Sequence, residues 1–396
     1  MTFIRSKKLR SLYELVANHP ESIRNMVTRE VFLLLLYMAT AAMTLNVFMQ
    51  TRSFEEGSQE FGLSVMLDGS ADRPYVYRQL LPIVANSIVK LIPEEDRADF
   101  VHYHLDKYQL RQQYFGRAKY KTKTSDQWTP TYAIEFHIIY TLNFIALLGL
   151  AYTLKSLINN FHENNPYLSK VAPIIFLLAL PTSFLHGNFF YDFIELFFLS
   201  TLLLTLIKGN FFSWTFLLPL AVLNKESNIL VPILYSPLIF HYVRDIQARF
   251  TLTISAVTSA IVYFYIKVHF SQNTGGVAIW QLWDNIKFWA TPKNYFLWHD
   301  FYIPMIPFPR GGNILLLGLL ASLISISWKH TQNQIRKLLI IAALINTPLW
   351  LLFCHNDEMR NLSFIFIPLL LVVTQALNQL LNTRSPNISS EYPEQN

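Results

Sequence analysis

The sequence predicts an all-α fold, a polytopic transmembrane bundle of about ten helices. Three observations predict it. Of 396 residues, 52% are hydrophobic and only 15% are charged, against about 25% charged in a globular chain. The deficit is concentrated in runs of about 20 residues, the length that a helix rising ~1.5 Å per residue needs to cross a ~30 Å hydrocarbon slab. These runs are apolar on every face, whereas the surface helix of a soluble protein keeps a polar one.

The same composition narrows the function. A net charge of +6 is what basic cytoplasmic loops produce, so it implies no nucleic-acid partner. The one cysteine, Cys354, excludes an intramolecular disulfide framework and a multi-cysteine metal cage. No His-x-x-x-His pair stands near a third ligand, so no dedicated zinc site is expected. Neither a Walker loop nor a dinucleotide fingerprint is present, which argues against nucleotide-driven chemistry.

In chain order, residues 1–30 form a basic cytoplasmic segment carrying Arg5-Ser-Lys-Lys-Leu-Arg10, and residues 31–381 form one transmembrane domain. The stretch from Tyr37 to Phe48 holds no convincing small-x-small cleavage site before the charged loop, so the first helix, Val31–Met49, is expected to stay as an anchor. An external segment, 50–131, follows. Within it Gln79–Ile92 is apolar but too short to span and is bracketed by Pro82 and Pro93, which predicts an interfacial helix. The spans Tyr132–Leu157 and Val171–Leu185 come next, then a tight polar turn, His186–Asp192, leading into a fourth helix that ends near Lys208–Asn210. Phe212–Leu223 and Ile229–His241 are short, and read as two crossings or as one re-entrant pair. Phe250–Val268 precedes a second external loop, 269–312, whose Trp280, Trp283, Trp289 and Trp298 suit a headgroup-level belt. Ile314–Trp328, Leu338–Phe353 and Leu362–Leu381 complete the bundle, and residues 382–396 form a polar, disordered cytoplasmic tail.

Charge sets the orientation. With the N-terminus inside, the loops Lys155–Lys170, Lys208–Asn210, Arg244–Arg249 and Lys329–Lys337 are all cytoplasmic, and each holds Lys or Arg. The other side collects the mixed and acidic clusters: Glu55 to Arg78, His186 to Glu195, Asn224–Asn228, the Trp-rich loop and His355–Asn361. Charges near helix ends cost up to about 2.5–3.5 kcal/mol each inside a bilayer. Keeping them on one side points to a polar cavity there.

The candidate residues follow. Glu55-Glu56 is either a solvated acidic pair or a base at the mouth of the site. Asp72 is a turn former or an oriented base. Arg73, Tyr77 and Arg78 share one short stretch, and a planar guanidinium such as that of Arg78 grips phosphate in a bidentate fork. His186 and Asn188 lie in the turn that leads to Asp192. Asp192 and Glu195 share a helical face, and the partner of Glu195 is Lys225 or Arg360. Lys225 faces a phosphate or pairs beside Glu226, and Glu358 and Arg360 head the last helix.

These segments, Arg-Pro-Tyr-Val-Tyr-Arg-Gln-Leu-Leu-Pro, Gly-Asn-Phe-Phe-Tyr-Asp, Asn-Lys-Glu-Ser and Asp-Glu-Met-Arg-Asn, on a long loop after the first helix, resemble bacterial polytopic GT-C glycosyltransferases over residues 31–381. The resemblance implies transfer of a sugar from a polyprenyl phosphate or pyrophosphate to a glycan or lipid acceptor outside the inner membrane. It implies Glu56 or Asp72 as base, and Arg73, Arg78, Lys225 and Arg360 as phosphate-holding residues. It requires no cofactor and leaves room for a divalent metal. The chain departs from the family in carrying Glu55-Glu56 where an Asp is usual. A transporter or flippase of a lipid-linked glycan and a non-catalytic membrane partner are the competing readings. The sequence does not fix the oligomeric state.

Overall fold

The computed structural model describes residues 20–52, 54, 58–101, 129–162, 165–183, 189–276, 278–300, 307–356 and 358–382. Fifteen helices carry them: α1 (Pro20–Arg52), α2 (Leu63–Leu67), α3 (Leu80–Lys90), α4 (Glu94–Val101), α5 (Pro130–Phe161), α6 (Pro166–Ser183), α7 (Asp192–Ile207), α8 (Phe211–Asn224), α9 (Val231–Leu234), α10 (Ser236–Tyr242), α11 (Ile246–His269), α12 (Leu282–Trp289), α13 (Ile314–Ser327), α14 (Asn333–Phe353) and α15 (Ser363–Asn382). One antiparallel pair of three-residue strands, β1 (Trp298–Asp300) and β2 (Pro307–Pro309), closes part of the second loop.

Among the described residues, six stretches are long and apolar enough to cross a membrane: Val27–Met49, Pro130–Phe161, Pro166–Ser183, Ile246–His269, Asn333–Phe353 and Met359–Leu381. Leu80–Lys90, Phe211–Asn224 and Ile314–Ser327 are apolar but shorter. Helix starts are set by local chemistry. Thr129 accepts the Tyr132 amide ahead of Pro130, Asn210 accepts that of Ser213, and Asp245 accepts that of Ala248; each satisfies a donor that a first turn leaves orphaned.

The second short segment is not one helix. A 3-10 turn, Glu226–Leu230, runs into α9 and then α10. Pro232 and Pro237 sit in the first turns of these pieces, where the missing N–H costs nothing, and in each case the preceding piece ends before the proline.

At the centre α7 packs on α5, α8, α10 and α15. A Cβ on Gly149 would fall 2.7 Å from the Phe197 ring, so the bare glycine lets α5 and α7 approach closely. Beneath the site, Phe48, Phe54, Phe136, Phe190 and Phe193 form a buried ring cluster with centroids 4.6 to 6.5 Å apart. Four polar ties between helices are directed at backbone carbonyls: Tyr37 Oη to Lys170, Thr44 Oγ1 to Leu177, Tyr235 Oη to Leu199 and Trp214 Nε1 to Leu202.

The stretch Gln79–Ile92 holds a helix, α3. It buries Leu81, Pro82, Ala85 and Val89 and leaves Ile83, Ile88 and Leu91 exposed. The tryptophan belt needs one correction. Trp280, Trp283 and Trp298 are exposed, but Trp289 turns inward against Trp350, 5.5 Å between ring centroids, and over Gly312. A Cβ on Gly312 would lie 2.4 Å from that indole, so the inward position depends on the glycine. Glu55, Glu56, His186 and Asn188 lie outside the described residues, as does residue 383 onward.

Candidate functional site

The site is assembled from four stretches distant in sequence. The first begins as a clip. Asp68 accepts from the Ser70 amide and hydroxyl, making a side-chain turn at Gly69, whose φ is +79°. Asn273 Nδ2 donates to the carbonyls of Gly69 and Ala71. Arg73 donates from its amide to Thr274 O and from Nη2 to Gly275 O, both at 2.8 Å. The Thr274 hydroxyl donates to the Asp72 carboxylate. Gly275 has φ +82°, and a Cβ there would sit 2.5 Å from Arg73 O, so only glycine fits. Asp72 and Arg73 thus fasten the first loop to the second. Pro74 and Tyr75, just beyond them, reach the cavity, and Tyr77 is buried beside Lys267, whose ammonium lies 5.6 Å from its ring.

The 3-10 turn Tyr75–Tyr77 delivers Arg78. Its guanidinium gives one edge to Glu226, Nε to Oε2 at 3.3 Å and Nη2 to Oε1 at 3.2 Å. Nη1 donates to Tyr191 Oη at 2.5 Å. The rings of Tyr191 and Tyr75 lie 4.5 and 5.1 Å from its central carbon. Burial opposes the charge, but Glu226 and the two tyrosines more than offset this and hold the Arg78 pKa above its usual value. Burial is also what raises the Tyr75 and Tyr191 phenols.

Deeper lie two buried ion pairs. Arg360 Nη1 meets both Asp192 oxygens, at 3.1 and 3.2 Å. Lys225 Nζ meets Glu195 Oε2 at 2.7 Å and Asn361 Oδ1 at 3.3 Å. The partner of Glu195 is therefore Lys225, and the Ser363 hydroxyl donates to its other oxygen at 2.9 Å. Side-chain exposure of all four ions is 7% or less. Glu358 is looser: Oε1 lies 3.5 Å from Arg360 Nη2, and Oε2 accepts from Asn361 Nδ2 at 3.0 Å.

Several residues that sequence reasoning missed hold these groups in place. Asn346, on α14, donates to Asn361 O at 2.7 Å and accepts the Phe364 amide at 3.0 Å, joining α14 to the start of α15. Trp350, one turn on, donates to Glu358 O at 3.1 Å. Asn224 Nδ2 donates to Tyr191 O. An uncharged polar residue inside an otherwise apolar span, as Asn346 is, was the available signal.

Arg78, Lys225, Glu226, Glu358 and Arg360 line one cavity of ≈ 250 Å³, with Tyr75, Trp350, Phe353 and Ile279 among its less polar walls. Asp192 and Glu195 stand directly behind it, paired to Arg360 and Lys225. Asp72, Arg73 and Tyr77 do not line it. Three cations (Arg78, Lys225, Arg360) face four carboxylates (Asp192, Glu195, Glu226, Glu358), a sum of −1. Among the described residues no group of three or more His, Cys, Asp or Glu is placed to hold a metal ion. Cys354 lines the cavity as well, and burial pushes its thiol up to about 11.

No protein-family model, no curated protein and no solved structure matches the chain.

Proposed function

We propose that the chain is a GT-C-like glycosyltransferase of a bacterial inner membrane, with both termini cytoplasmic, that takes a sugar from a polyprenyl-phosphate carrier. The observation that carries this reading is the single cavity in which Arg78, Lys225 and Arg360 meet carboxylates and aromatic rings. Cations answer an anionic carrier head, aromatic faces suit a sugar ring, and carboxylates suit proton abstraction. In this reading the acceptor hydroxyl loses its proton to a cavity carboxylate as its oxygen bonds the anomeric carbon. The bond from that carbon to the carrier phosphate breaks, and the departing phosphate keeps the electron pair beside arginine.

The base expected at Asp72 is turned to Thr274. Glu358 and Glu226, on the cavity wall, take its place in the proposal. Sidedness is supported by where the polar groups gather. Residues from loops expected outside meet at this cavity, whereas the Lys155–Glu30 pair and the Gln334–His241 contact lie in segments expected at the other surface.

The test is the profile of lipid-linked sugars in cells lacking the chain and in cells carrying Glu358→Gln. Accumulation of one polyprenyl-phosphate sugar in both supports the reading, and an unchanged profile in both overturns it. Transport of a lipid-linked glycan is the second reading, favoured by the broken helix 226–242 at the cavity. It predicts that the same lipid accumulates on the inner leaflet alone.

A further inference from the structure

The cations of the cavity are not equivalent. Arg360 is tied to Asp192, whose side chain is 2% exposed, and Lys225 to Glu195, at 1%. Removing either acid from its cation strands a buried charge, so these pairs are fixed features of the fold. Asp192 also accepts from the Phe189 amide, and Glu195 from Ser363. Glu226 differs on every count. Its side chain is 23% exposed, its bonds to Arg78 are long at 3.2 and 3.3 Å, and among the described residues Arg78 is its one partner. It opens a 3-10 turn whose preceding residue, Lys225, is extended.

Arg78, in contrast, stays oriented if Glu226 leaves. Tyr191 Oη holds Nη1, and the Tyr75 and Tyr191 rings cover the guanidinium. What would be vacated is the Nε–Nη2 edge, the two-donor fork that matches two phosphate oxygens as well as two carboxylate oxygens. The charge sum requires such an exchange. A cavity already at −1 repels a further anion unless one carboxylate gives way.

We infer that Glu226 is a stand-in for the ligand: a phosphate monoester or diester head enters by displacing the Glu226 carboxylate from Arg78, while Lys225 and Arg360 keep their own acids. The inference rests on the reading above that the ligand is an anionic carrier head. Glu226 holds the arginine neutralised and oriented in the empty site, so the ligand meets a preorganised fork. The released carboxylate, already 23% exposed, turns out of the cavity into solvent.

The test uses the full chain in maltoside micelles, with dodecyl phosphate and inorganic phosphate as probes and calorimetric titration as the readout. Glu226→Gln removes the competitor and is expected to bind dodecyl phosphate roughly tenfold more tightly than wild type, since a charged hydrogen-bonded pair of this kind is worth on the order of a tenfold change. Arg78→Gln is expected to bind at least about tenfold more weakly. In the Arg78→Gln background, adding Glu226→Gln is expected to give no gain. Arg78→Lys keeps the charge and loses the fork, and it is expected to bind more weakly than wild type, which carries the test if Arg78→Gln does not fold. Dodecyl phosphate binding far more tightly than inorganic phosphate identifies a lipid head; equal affinities identify free phosphate. Binding of neither probe overturns the inference. So does a Glu226→Gln affinity at or below wild type, or an equal gain without Arg78. Since no sugar is present in this assay, tighter binding by Glu226→Gln together with an unchanged lipid-linked sugar profile in cells lacking the chain would end only the transferase reading. Transfer with unchanged binding would end only this inference.

Discussion

Asp192→Asn tests the inner layer of the site. The carboxylate lies 3.1 and 3.2 Å from Arg360 Nη1, with side chains 2% and 4% exposed. Breaking one partner of such a buried pair typically costs ~3–5 kcal/mol, because the remaining charge stays buried. Here Arg360 keeps Glu358 at 3.5 Å, and asparagine can still accept the Phe189 amide. The loss should therefore fall at the low end, about 3 kcal/mol. The assay is unfolding in mixed micelles of mild detergent and SDS, read by tryptophan fluorescence. A second arm replaces both ions with apolar residues of similar length, Asp192→Leu with Arg360→Met. Apolar replacement of a buried pair is often neutral or stabilising by ~1–4 kcal/mol, so the double variant should lose less than Asp192→Asn alone. A single-variant loss under about 1 kcal/mol would place the pair in water and refute its burial. A double-variant loss equal to the sum of the two singles would show no coupling between the ions and refute the pairing.

Four further outcomes follow from the same geometry. With its thiol raised from 9.0 to about 11, Cys354 carries about a hundredfold less thiolate than an unperturbed cysteine below pH 9. Higher intrinsic nucleophilicity returns about tenfold, so maleimide labelling at pH 7.5 should run about tenfold slower than for a free thiol and quicken as pH rises; a rate equal to glutathione's refutes this environment. An impermeant maleimide should label Cys354 from the periplasmic side only, and labelling from the cytoplasm would sink the topology. Asp72→Asn should leave the lipid-linked sugar profile at wild type while Glu358→Gln changes it; loss with Asp72→Asn, at intact stability, restores the sequence-based base. Gly275→Ala places a side chain at φ +82° against Arg73 O, and should cost more than about 1–2 kcal/mol in the same unfolding assay. It should also weaken dodecyl phosphate binding through the displaced Ala278 and Ile279, which line the cavity.

Much of this was legible because a bilayer simplifies sequence. Long apolar runs have one solution, and four of the expected spans, at 31–49, 132–157, 250–268 and 338–353, lie inside helices of the structure. The charged residues were legible for the same reason: Asp192, Glu195, Lys225 and Arg360 stand out in apolar surroundings, and a cost in lipid demands partners. Which acid meets which cation was not legible. Glu195 lies one turn deeper than Asp192, and the choice of Lys225 over Arg360 depends on how far the 3-10 turn after Asn224 descends. Asp72 and Arg73 are types that suit catalysis, but in the structure they bind the second loop and do not line the cavity. Their binding to Thr274 and Gly275 depends on a loop some two hundred residues away, a pairing that no local pattern encodes. Trp289 was not legible either, since an inward tryptophan depends on the bare Gly312 opposite.

The depth of the acids ties the fold to the chemistry. Helix α7 has 16 residues, about 24 Å at ~1.5 Å per residue, less than the ~30 Å slab. If α7 crosses as the sequence suggests, with Lys208 at one surface, its N-terminal carboxylates stop short of the other. They would lie below the level of bulk water, where unpaired ions are costly. The inner pairs are thus a condition for having polar groups at that depth. They leave no cation to spare for a ligand, and the exchangeable charge must come from outside the short helices. Arg78 meets that condition: it arrives on the external loop, its orientation is set by Tyr75 and Tyr191, and its acid, Glu226, is the most exposed of the four. On the proposed reading, a fixed inner layer and an exchangeable outer pair both follow from one short helix, and lengthening α7 by a turn would remove the reason for both.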